Sequence, residues 1–356
     1  MQTPLAVKNI AVFQHDLQTG GIQKSLINLL NLLDRDKYKI DLFLFEKDDY
    51  FDVSFSNNIN IIRIEKWNPL LKVIPFSLTM AFCRPHYTDK KYDIAIDYNS
   101  YKNQCAMGAI SVVAKKRVMW IHSNIEQKLK HEPKYRLLWW LSKAKFKHFD
   151  EFVAVSNGIV EPFCEISGIS YKPITVIQNC IDAEKIIQQS NADIGNFGLD
   201  QNKFNIVALG RLCRVKGFDI LIDFMSKLII QRKDFHLYII GDGPEKQNLL
   251  KQVEQKQLGQ YITMLGRQKN PYAYMSQMDA FVSTSRYEGQ GINIMEARAL
   301  GLPVFITKNL EPYNVGIKGC DDIVKALSTA QKQQKKVDLL VDYHREIHDK
   351  INKLFS

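Results

Sequence analysis

The sequence predicts an α/β protein with two doubly wound domains. Its 356 residues are too many for one ordinary hydrophobic core. Short apolar runs alternate with helical stretches in both halves, which is typical of parallel strands buried on both faces. A polar stretch at 183–202 separates the two series. We therefore predict a first domain over 1–185, a second over 186–340, and a terminal helix over 341–356 that packs back on the first domain.

The first half begins as a strand, a loop and a helix. The apolar run at 9–15 predicts the strand, DLQTGG the loop, and IQKSLINLLNLL a helix with apolar residues at helical spacing. The following apolar runs predict strands over 39–45, 62–64, 92–98, 117–123, 151–156 and 173–179.

The second half repeats this alternation. FNIVALG at 204–210 predicts a strand that leads into an amphipathic helix over 217–232. Ligands of doubly wound sheets bind beyond the carboxyl ends of the strands, so the loops at those ends are the candidate site. Further strands are predicted over 235–241, 261–266, 280–285 and 303–307.

Composition excludes several classes of protein. The six cysteines form no C-x-x-C pair and have no zinc-ligand spacing, so we expect reduced thiols and no metal site. The sequence has no D-x-D motif at a strand end that would bind a metal, because the acidic pairs at 48–49 and 321–322 lie in polar loops. The N-terminus lacks the pattern of a signal peptide, and no run approaches the ~18 apolar residues that span a membrane. We expect a cytoplasmic protein, peripheral on the cytoplasmic face of a membrane at most.

One loop in the second half carries two cations at the end of a predicted strand. In VALGRLCRVKGFDIL, Gly210 allows a sharp turn, and Arg211 and Lys216 flank the entry to a helix. Two cations at a helix N-terminus suit a diphosphate. The alternative is a solvated basic loop.

A second segment carries two carboxylates around a glycine loop. In RYEGQGINIMEARALGLPV, Glu288 precedes Gly289 and Gly291, and Glu296 lies inside the predicted helix INIMEARAL. Carboxylates at two depths of one site can bind hydroxyls of a sugar and of a ribose, and glycines let the backbone approach a ligand.

These motifs, in this order, resemble the retaining glycosyltransferases of family 4, which have the GT-B fold of two Rossmann-like domains facing across a cleft. The resemblance is strongest over 204–307, where GDGPE, LGR, NPYAYM and DAFVSTSRYEG follow the basic loop. In the first half it covers TGG, WIHS, VAVSNGI and IQNCID. Bacterial capsule, O-antigen and lipopolysaccharide enzymes are similar.

The resemblance implies a role for each motif. Arg211 and Lys216 would neutralise the diphosphate, Glu288 would bind the donor sugar, and Glu296 would bind the ribose. His122 would lie next to the reacting carbon; the alternative is a hydrogen-bonded core histidine. Gly20 and Gly21 would approach the diphosphate or the transferred sugar, and Arg267, or the backbone around Gly266, would face the nucleobase. The other donor-binding residues would be Gly289, Gln290, Gly291 and Ile292, in the loop beside the sugar.

The implied reaction moves a hexose or N-acetylhexosamine from a nucleotide diphosphate sugar to a saccharide acceptor. A UDP-sugar is favoured and a GDP-sugar is possible. Gln290 stands where the family often has an aromatic residue, and this departure leaves the identity of the donor open. No cofactor and no metal are expected, since the two cations stabilise the leaving diphosphate. The product would enter bacterial surface polysaccharide synthesis.

Two segments of the first domain suggest an anionic membrane as partner. Residues 66–85 and 130–149 mix apolar and aromatic residues with basic ones, and 115–149 holds ten Lys or Arg against two acids. Such helices lie well at an anionic bilayer, which would fit a lipid-linked acceptor. The alternative is a core-facing helix with a solvated basic side.

Three other functions remain open at this stage. A sugar-nucleotide epimerase or a phosphorylase could share the fold, and assays with donor and acceptor would separate them. A non-catalytic scaffold subunit is disfavoured by the intact charged residues. The net charge of +10 raises nucleic-acid binding, but no recognisable module supports it, so no nucleic-acid partner is expected.

Overall fold

The computed structural model describes residues 7–18, 20–46, 55, 58–64, 74–131, 133–195 and 197–356. It is α/β with two parallel sheets, as predicted. The chain divides into two compact units, one of Met1–Cys180 with His344–Ser356 and the other of Ile181–Tyr343. The division therefore comes a few residues before the predicted boundary at 185.

In its described residues, the first unit contains one seven-stranded sheet in the order β3-β2-β1-β4-β5-β6-β7. Its strands are β1 Lys8–Gln14, β2 Tyr38–Leu44, β3 Ile59–Arg63, β4 Lys91–Asp97, β5 Val113–Ile121, β6 Glu151–Ala154 and β7 Ile174–Val176. Its helices are α1 Gly21–Leu32, α2 Phe76–Phe82, α3 Asn103–Ser111, α4 Ile125–His131, α5 Pro133–Ser142 and α6 Asn157–Ser167, with a 3₁₀ helix over Lys143–His148.

The part of the second unit that the structure describes holds a five-stranded sheet in the order β10-β9-β8-β11-β12. Its strands are β8 Phe204–Leu209, β9 Phe235–Ile240, β10 Ile262–Gly266, β11 Ala280–Ser283 and β12 Val304–Ile306. Its helices are α7 Ala183–Ser190, α8 Phe218–Gln231, α9 Lys246–Gln255, α10 Pro271–Met275, α11 Ile292–Ala299 and α12 Ile323–Ser328, with 3₁₀ helices over Arg214–Lys216 and Lys308–Tyr313. The chain ends with α13 Val341–Phe355.

Aromatic packing fixes how closely α3 approaches the first sheet. The rings of Phe13 and Phe43 stack at 4.5 Å on neighbouring strands. Gly108 of α3 lies against Phe13, and a β-carbon there would come within 2.2 Å of the ring. The glycine therefore lets the helix reach the sheet at the strands that lead into the candidate site.

The polar stretch at 183–202 is not simply a linker. Its first part forms α7, which begins where the Asp182 side chain accepts a hydrogen bond from the backbone N–H of Lys185. Ala183 and Ile186 are buried in the core of the second unit. The helix is amphipathic, so its exposed polar residues dominated the composition that suggested a linker.

The last residues of the terminal helix belong to the first unit. Ile347, Ile351, Leu354 and Phe355 are buried, and the Phe355 ring lies 5.5 Å from the ring of Tyr38. The Nζ atoms of Lys8 and Lys116 donate to the carbonyls of Phe355 and Leu354 at 2.6 and 2.9 Å. Two lysines thus satisfy carbonyls that have no partner inside the helix.

The structure corrects the single basic helix expected over 130–149. The segment is broken into the end of α4, α5 and a 3₁₀ helix. Lys145 and Phe146 are buried, and the Lys145 Nζ donates to the carbonyl of Ser100 at 2.5 Å. Trp139 is also buried, so these residues cannot face a bilayer. Much of the other segment, residues 65–73, lies outside the described residues.

Candidate active site

Each sheet reverses its strand order at one point, and several of the candidate residues lie in the loops there. In the second unit the chain builds outward from β8 to β10 and then returns to β11 on the other side of β8. The loops after β8 and β11 therefore emerge side by side, which is where ligands of doubly wound sheets bind. The first unit has the same reversal between β1 and β4.

The two loops of the second unit bring a predicted cation and a predicted carboxylate together. The Lys216 Nζ donates to the Glu288 Oε1 at 2.6 Å. The Ser285 hydroxyl donates to the same oxygen at 2.7 Å. Glu288 is 9% exposed, whereas the Lys216 side chain is 25% exposed. The ammonium is thus held at the edge of the sheet with access to solvent.

Arg211 begins the basic loop, and its side chain is exposed. An ion pair holds this loop from behind: Arg286 Nη1 and Nη2 donate to the two Asp219 carboxylate oxygens at 2.8 and 2.6 Å. Nη1 also donates to the Arg214 carbonyl at 2.7 Å. This hydrogen bonding lowers the pKa of Asp219. The clamp joins the loop after β8 to the loop after β11, so it supports the relative positions of Lys216 and Glu288.

Glu296, the second predicted carboxylate, is buried within α11 and has a partner that the sequence did not indicate. The Tyr272 hydroxyl of α10 donates to the Glu296 Oε1 at 3.1 Å, and both residues are buried. Burial raises the pKa of Tyr272 well above its usual value, and the carboxylate adds to this effect. Tyr272 lies in the NPYAYM motif, which supports the resemblance but did not indicate a role for this side chain.

Replacing Tyr272 with phenylalanine is expected to raise the KM for the nucleotide sugar about 5- to 10-fold and to leave kcat within about twofold, as for one lost hydrogen bond. The change removes only the hydroxyl that contacts Glu296, the residue that the resemblance assigns to the ribose rather than to the reacting sugar. Steady-state kinetics in both substrates would measure this. An equal KM for both proteins would show that Tyr272 does not position the carboxylate.

The glycine loop after Glu288 is held by hydrogen bonds to residues elsewhere in the second unit. The Gln290 side chain donates to the Tyr343 hydroxyl at 2.9 Å, and the Gly291 N–H donates to the Asn314 Oδ1 at 3.1 Å. Gly289, Gln290 and Gly291 are buried, while Ile292 is half-buried at the start of α11. The side-chain amide nitrogen of Gln290 thus donates a hydrogen bond within the protein.

The predicted nucleobase residues follow the edge strand β10. Gly266 has a left-handed backbone with φ of 70°, and its carbonyl accepts from the Gly241 N–H at 2.8 Å. Arg267 is exposed and contributes to lowering the pKa of Asp242, whose largest cause is the hydrogen bond from the Gly243 N–H. The structure therefore places Arg267 beside the GDGPE loop.

In the first unit, the glycine pair opens a long helix. Gly20 and Gly21 are exposed at the start of α1, a helix of 12 residues. The Asp16 Oδ1 accepts from the Gln18 N–H at 2.9 Å and from the Gln23 side chain at 2.7 Å, which fixes the preceding loop. Exposed N–H groups at a helix start can bind an anion.

His122 follows β5 and is buried against Tyr98, with ring centroids 4.6 Å apart. Burial lowers the pKa of His122 to about 3, although the Tyr98 carbonyl accepts a hydrogen bond from the ring. Within the described part of the chain, its Nε2 has no hydrogen-bond partner. The ring is therefore neutral, and its Nε2 can serve as an acceptor for a hydroxyl.

The His122 environment predicts a specific pH dependence of stability. Its folded pKa lies below the usual 6.5, so its contribution is present above pH 6.5 and lost as the pH falls toward 3. Between pH 7 and 5 the wild type should lose about 2 kcal/mol more unfolding free energy than His122→Gln. Asp97, whose pKa burial raises to about 7, is common to both proteins. Urea unfolding followed by tryptophan fluorescence would test this, and parallel losses would contradict it.

No group of three His, Cys, Asp or Glu among the described residues could hold a metal ion. The acidic pair at 48–49 lies outside the described residues. In the other pair, Asp322 caps α12 by accepting from the N–H groups of Val324 and Lys325. No described helix is long and apolar enough to cross a membrane.

Two family profiles match the chain. The profile described as Glycosyltransferase Family 4 matches residues 19–185, and the profile described as Glycosyl transferases group 1 matches residues 189–343. The two matches are consecutive, and each falls almost entirely within one of the two units.

Curated relatives carry enzyme names. A Campylobacter jejuni protein, N-acetylgalactosamine-N,N'-diacetylbacillosaminyl-diphospho-undecaprenol 4-alpha-N-acetylgalactosaminyltransferase, is 26% identical over 315 residues, which make up 85% of this chain and 81% of that protein. The O-antigen biosynthesis glycosyltransferase WclY of Escherichia coli is 30% identical over 136 residues, which are 38% of this chain and 37% of WclY.

Solved structures confirm the predicted fold. Anabaena Alr3699/HepE, crystallised with UDP and glucose, superposes with a TM-score of 0.65 at 17% identity, covering 97% of this chain and 100% of HepE. The lipopolysaccharide outer core galactosyltransferase WaaB superposes with a TM-score of 0.57 at 19% identity, covering 98% of this chain and 95% of WaaB.

Proposed function

Because the chain belongs to the glycosyltransferases of family 4 and group 1, with the GT-B fold, we propose that it is a retaining enzyme that transfers a hexose or N-acetylhexosamine from a UDP-sugar. The acceptor is a lipid-linked saccharide, and the product belongs to a bacterial surface polysaccharide. A GDP-sugar remains the second possible donor.

The observation that carries this proposal is the pairing of Lys216 with Glu288 where the second sheet reverses its order. A donor needs a cation for its diphosphate and an acceptor of hydrogen bonds for its sugar hydroxyls. These two groups already lie 2.6 Å apart. Exposed Arg211, from the same loop as Lys216, would supply the second cation.

The charges that develop during the reaction explain the roles of the two cations. Cleavage of the bond between sugar and phosphate leaves negative charge on the nucleoside diphosphate and positive charge on the sugar. Lys216 and Arg211 stabilise the first charge, which is why no metal is required. When the diphosphate engages Lys216, Glu288 loses its ion-pair partner, keeps the hydrogen bond from Ser285, and becomes available to the sugar hydroxyls. The carboxylate therefore changes partners as the donor binds.

Retention is proposed on the resemblance to family 4. His122 is buried and neutral, so it accepts a hydrogen bond rather than supplying positive charge. We assign it to orienting a sugar hydroxyl near the reacting carbon. Among the residues discussed, none is assigned as a carboxylate nucleophile, and attack on the same face as the leaving phosphate is the mechanism we favour.

The acceptor is assigned to the first unit, and the exposed face of α5 supports a lipid-linked one. Leu137 and Trp140 are 63% and 65% exposed, and Arg136 and Lys143 beside them are also exposed. An apolar surface with basic neighbours suits an anionic bilayer. The Campylobacter jejuni relative carries diphospho-undecaprenol in its name, which fits this assignment.

A panel of nucleotide sugars tests the function. UDP-glucose, UDP-galactose, their N-acetylated forms and GDP-mannose would first be compared by thermal shift and then by hydrolysis with and without EDTA. We expect stabilisation by one UDP-sugar, hydrolysis that EDTA does not reduce, and release of the α-anomer seen by NMR. A requirement for divalent cations would contradict metal independence, and the β-anomer would contradict retention.

The same assay separates the rival enzymes. Conversion of the donor to its epimer would identify an epimerase. With a saccharide and phosphate added, release of sugar 1-phosphate from the saccharide would identify a phosphorylase. Absence of binding by every donor would favour a scaffold subunit. Each of these outcomes would replace the proposed function.

A further inference from the structure

A lysine lies over two tyrosine rings at the carboxyl edge of the first sheet. The Lys128 Nζ is 4.2 Å from the centre of the Tyr101 ring and 4.5 Å from the centre of the Tyr135 ring. The two ring centres are 6.3 Å apart, and all three residues are half-buried. The ammonium is therefore attracted by two π faces and is partly shielded from water.

Three separate elements build this cluster. Tyr101 follows β4, Lys128 is in α4, and Tyr135 is in α5. The Asn124 side chain accepts from the Gln127 N–H at 3.0 Å and so starts α4 directly after β5. Arg136 of α5 donates from Nε to the Leu129 carbonyl at 2.9 Å, which ties α5 to α4. The position of Lys128 is thus set by packing rather than by a mobile loop.

The cluster is connected to the candidate catalytic histidine. The Tyr101 hydroxyl donates to the Ser123 hydroxyl, and Ser123 follows His122 in the chain. Leu138 lies about one helical turn after Tyr135 on the same side of α5 and is 41% exposed. Contacts therefore lead from the residue after His122 through Tyr101 to the cation, and Leu138 adds an exposed apolar side chain beyond Tyr135.

We propose that Tyr101, Lys128 and Tyr135 bind the diphosphate of a lipid-diphosphate-linked acceptor, whose lipid lies along the exposed residues of α5. This assignment rests on the proposed function for the identity of the acceptor. The order of polar, cationic and apolar groups matches a saccharide, its diphosphate and its lipid. A partly desolvated ammonium favours an anion over a neutral sugar, and the two tyrosine rings hold that ammonium in place.

Farnesyl diphosphate is a suitable probe, measured by isothermal titration with the full-length protein. Lys128→Gln should bind it about 10-fold more weakly than the wild type, as for loss of one charge-assisted contact. Lys128→Arg should retain most of the affinity. The matched control is Lys130→Gln on the same helix, where the lysine pairs with Glu126 at i,i+4; its affinity should stay within about twofold of the wild type.

Several results would overturn the assignment. Equal losses in the Lys128 and Lys130 variants would indicate attraction to net charge alone. Farnesol binding as tightly as farnesyl diphosphate would indicate a purely apolar contact. An unchanged affinity in Lys128→Gln, with circular dichroism like that of the wild type, would show that this lysine binds no phosphate. Since the titration uses no nucleotide sugar, failure of the proposed function would appear in the donor panel instead.

Discussion

Replacing Lys216 or Glu288 with alanine is expected to lower turnover of the nucleotide sugar about 100-fold or more, the size of a lost transition-state contact. Lys216 would no longer stabilise the leaving diphosphate, and Glu288 would no longer hold the sugar. Both side chains meet at the reversal of the second sheet, 2.6 Å apart. Initial rates of transfer or hydrolysis with the preferred donor, at saturation and at low concentration, measure the loss.

The double variant gives a sharper result. Lys216 and Glu288 are partners, so removing one already disturbs the other. The loss of activity in the double variant should therefore be smaller than the sum of the two single losses, expressed as free energies. The control is Lys256→Ala, because Lys256 forms an ion pair with Asp223 at 3.1 Å in the same unit. This substitution removes the same charge, and the variant should keep the wild-type rate. Near-wild-type rates in both single variants would refute the site.

Gly217→Ala is expected to destabilise the second unit strongly, because the glycine has a left-handed backbone and a close backbone neighbour. Gly217 has a φ of 64°, and a β-carbon would lie 2.0 Å from the carbonyl oxygen of Thr284. That carbonyl belongs to the backbone after β11, so it cannot move without shifting the loop that carries Glu288. We expect a loss of about 3 kcal/mol or more in unfolding free energy, together with weaker donor binding. Thermal melting and donor titration measure the two effects.

Gly168→Ala separates close contact from backbone strain. Gly168 ends α6 with a φ of 72°, but a β-carbon there would meet nothing within 4 Å. Only the cost of a left-handed alanine remains, about 1 kcal/mol. Equal destabilisation by the two substitutions would mean that the contact with Thr284 does not matter.

Much of the fold was accessible from the sequence because its signals are local. Continuous apolar runs marked each strand to within a few residues, since strands buried on both faces carry mostly apolar side chains. The terminal helix over Val341–Phe355 was equally clear from its apolar spacing. Composition gave the wrong prediction for two segments. The amphipathic α7 was predicted as a linker, and the residues around Lys145 were predicted to form an exposed face.

The candidate residues at strand ends could also be identified, since the loop after β8 and the loop after β11 carry unusual motifs. Their pairing could not be, because Lys216 and Glu288 are 72 residues apart and meet only through strand order. The same holds for the Tyr272 hydroxyl on Glu296, which depends on how α10 packs against α11. Contacts between residues this far apart in the sequence depend on how the helices and strands pack.

By itself, the sequence therefore determined that two doubly wound units would form and which charged residues would stand at their strand ends. Only the tertiary structure decided what those residues contact: Glu288 with Lys216, His122 buried and neutral against Tyr98, and Lys128 over two tyrosine rings. The physical reason is that periodicity and turn chemistry act over a few residues. Burial, desolvation and ion pairing arise when elements far apart in the chain come together.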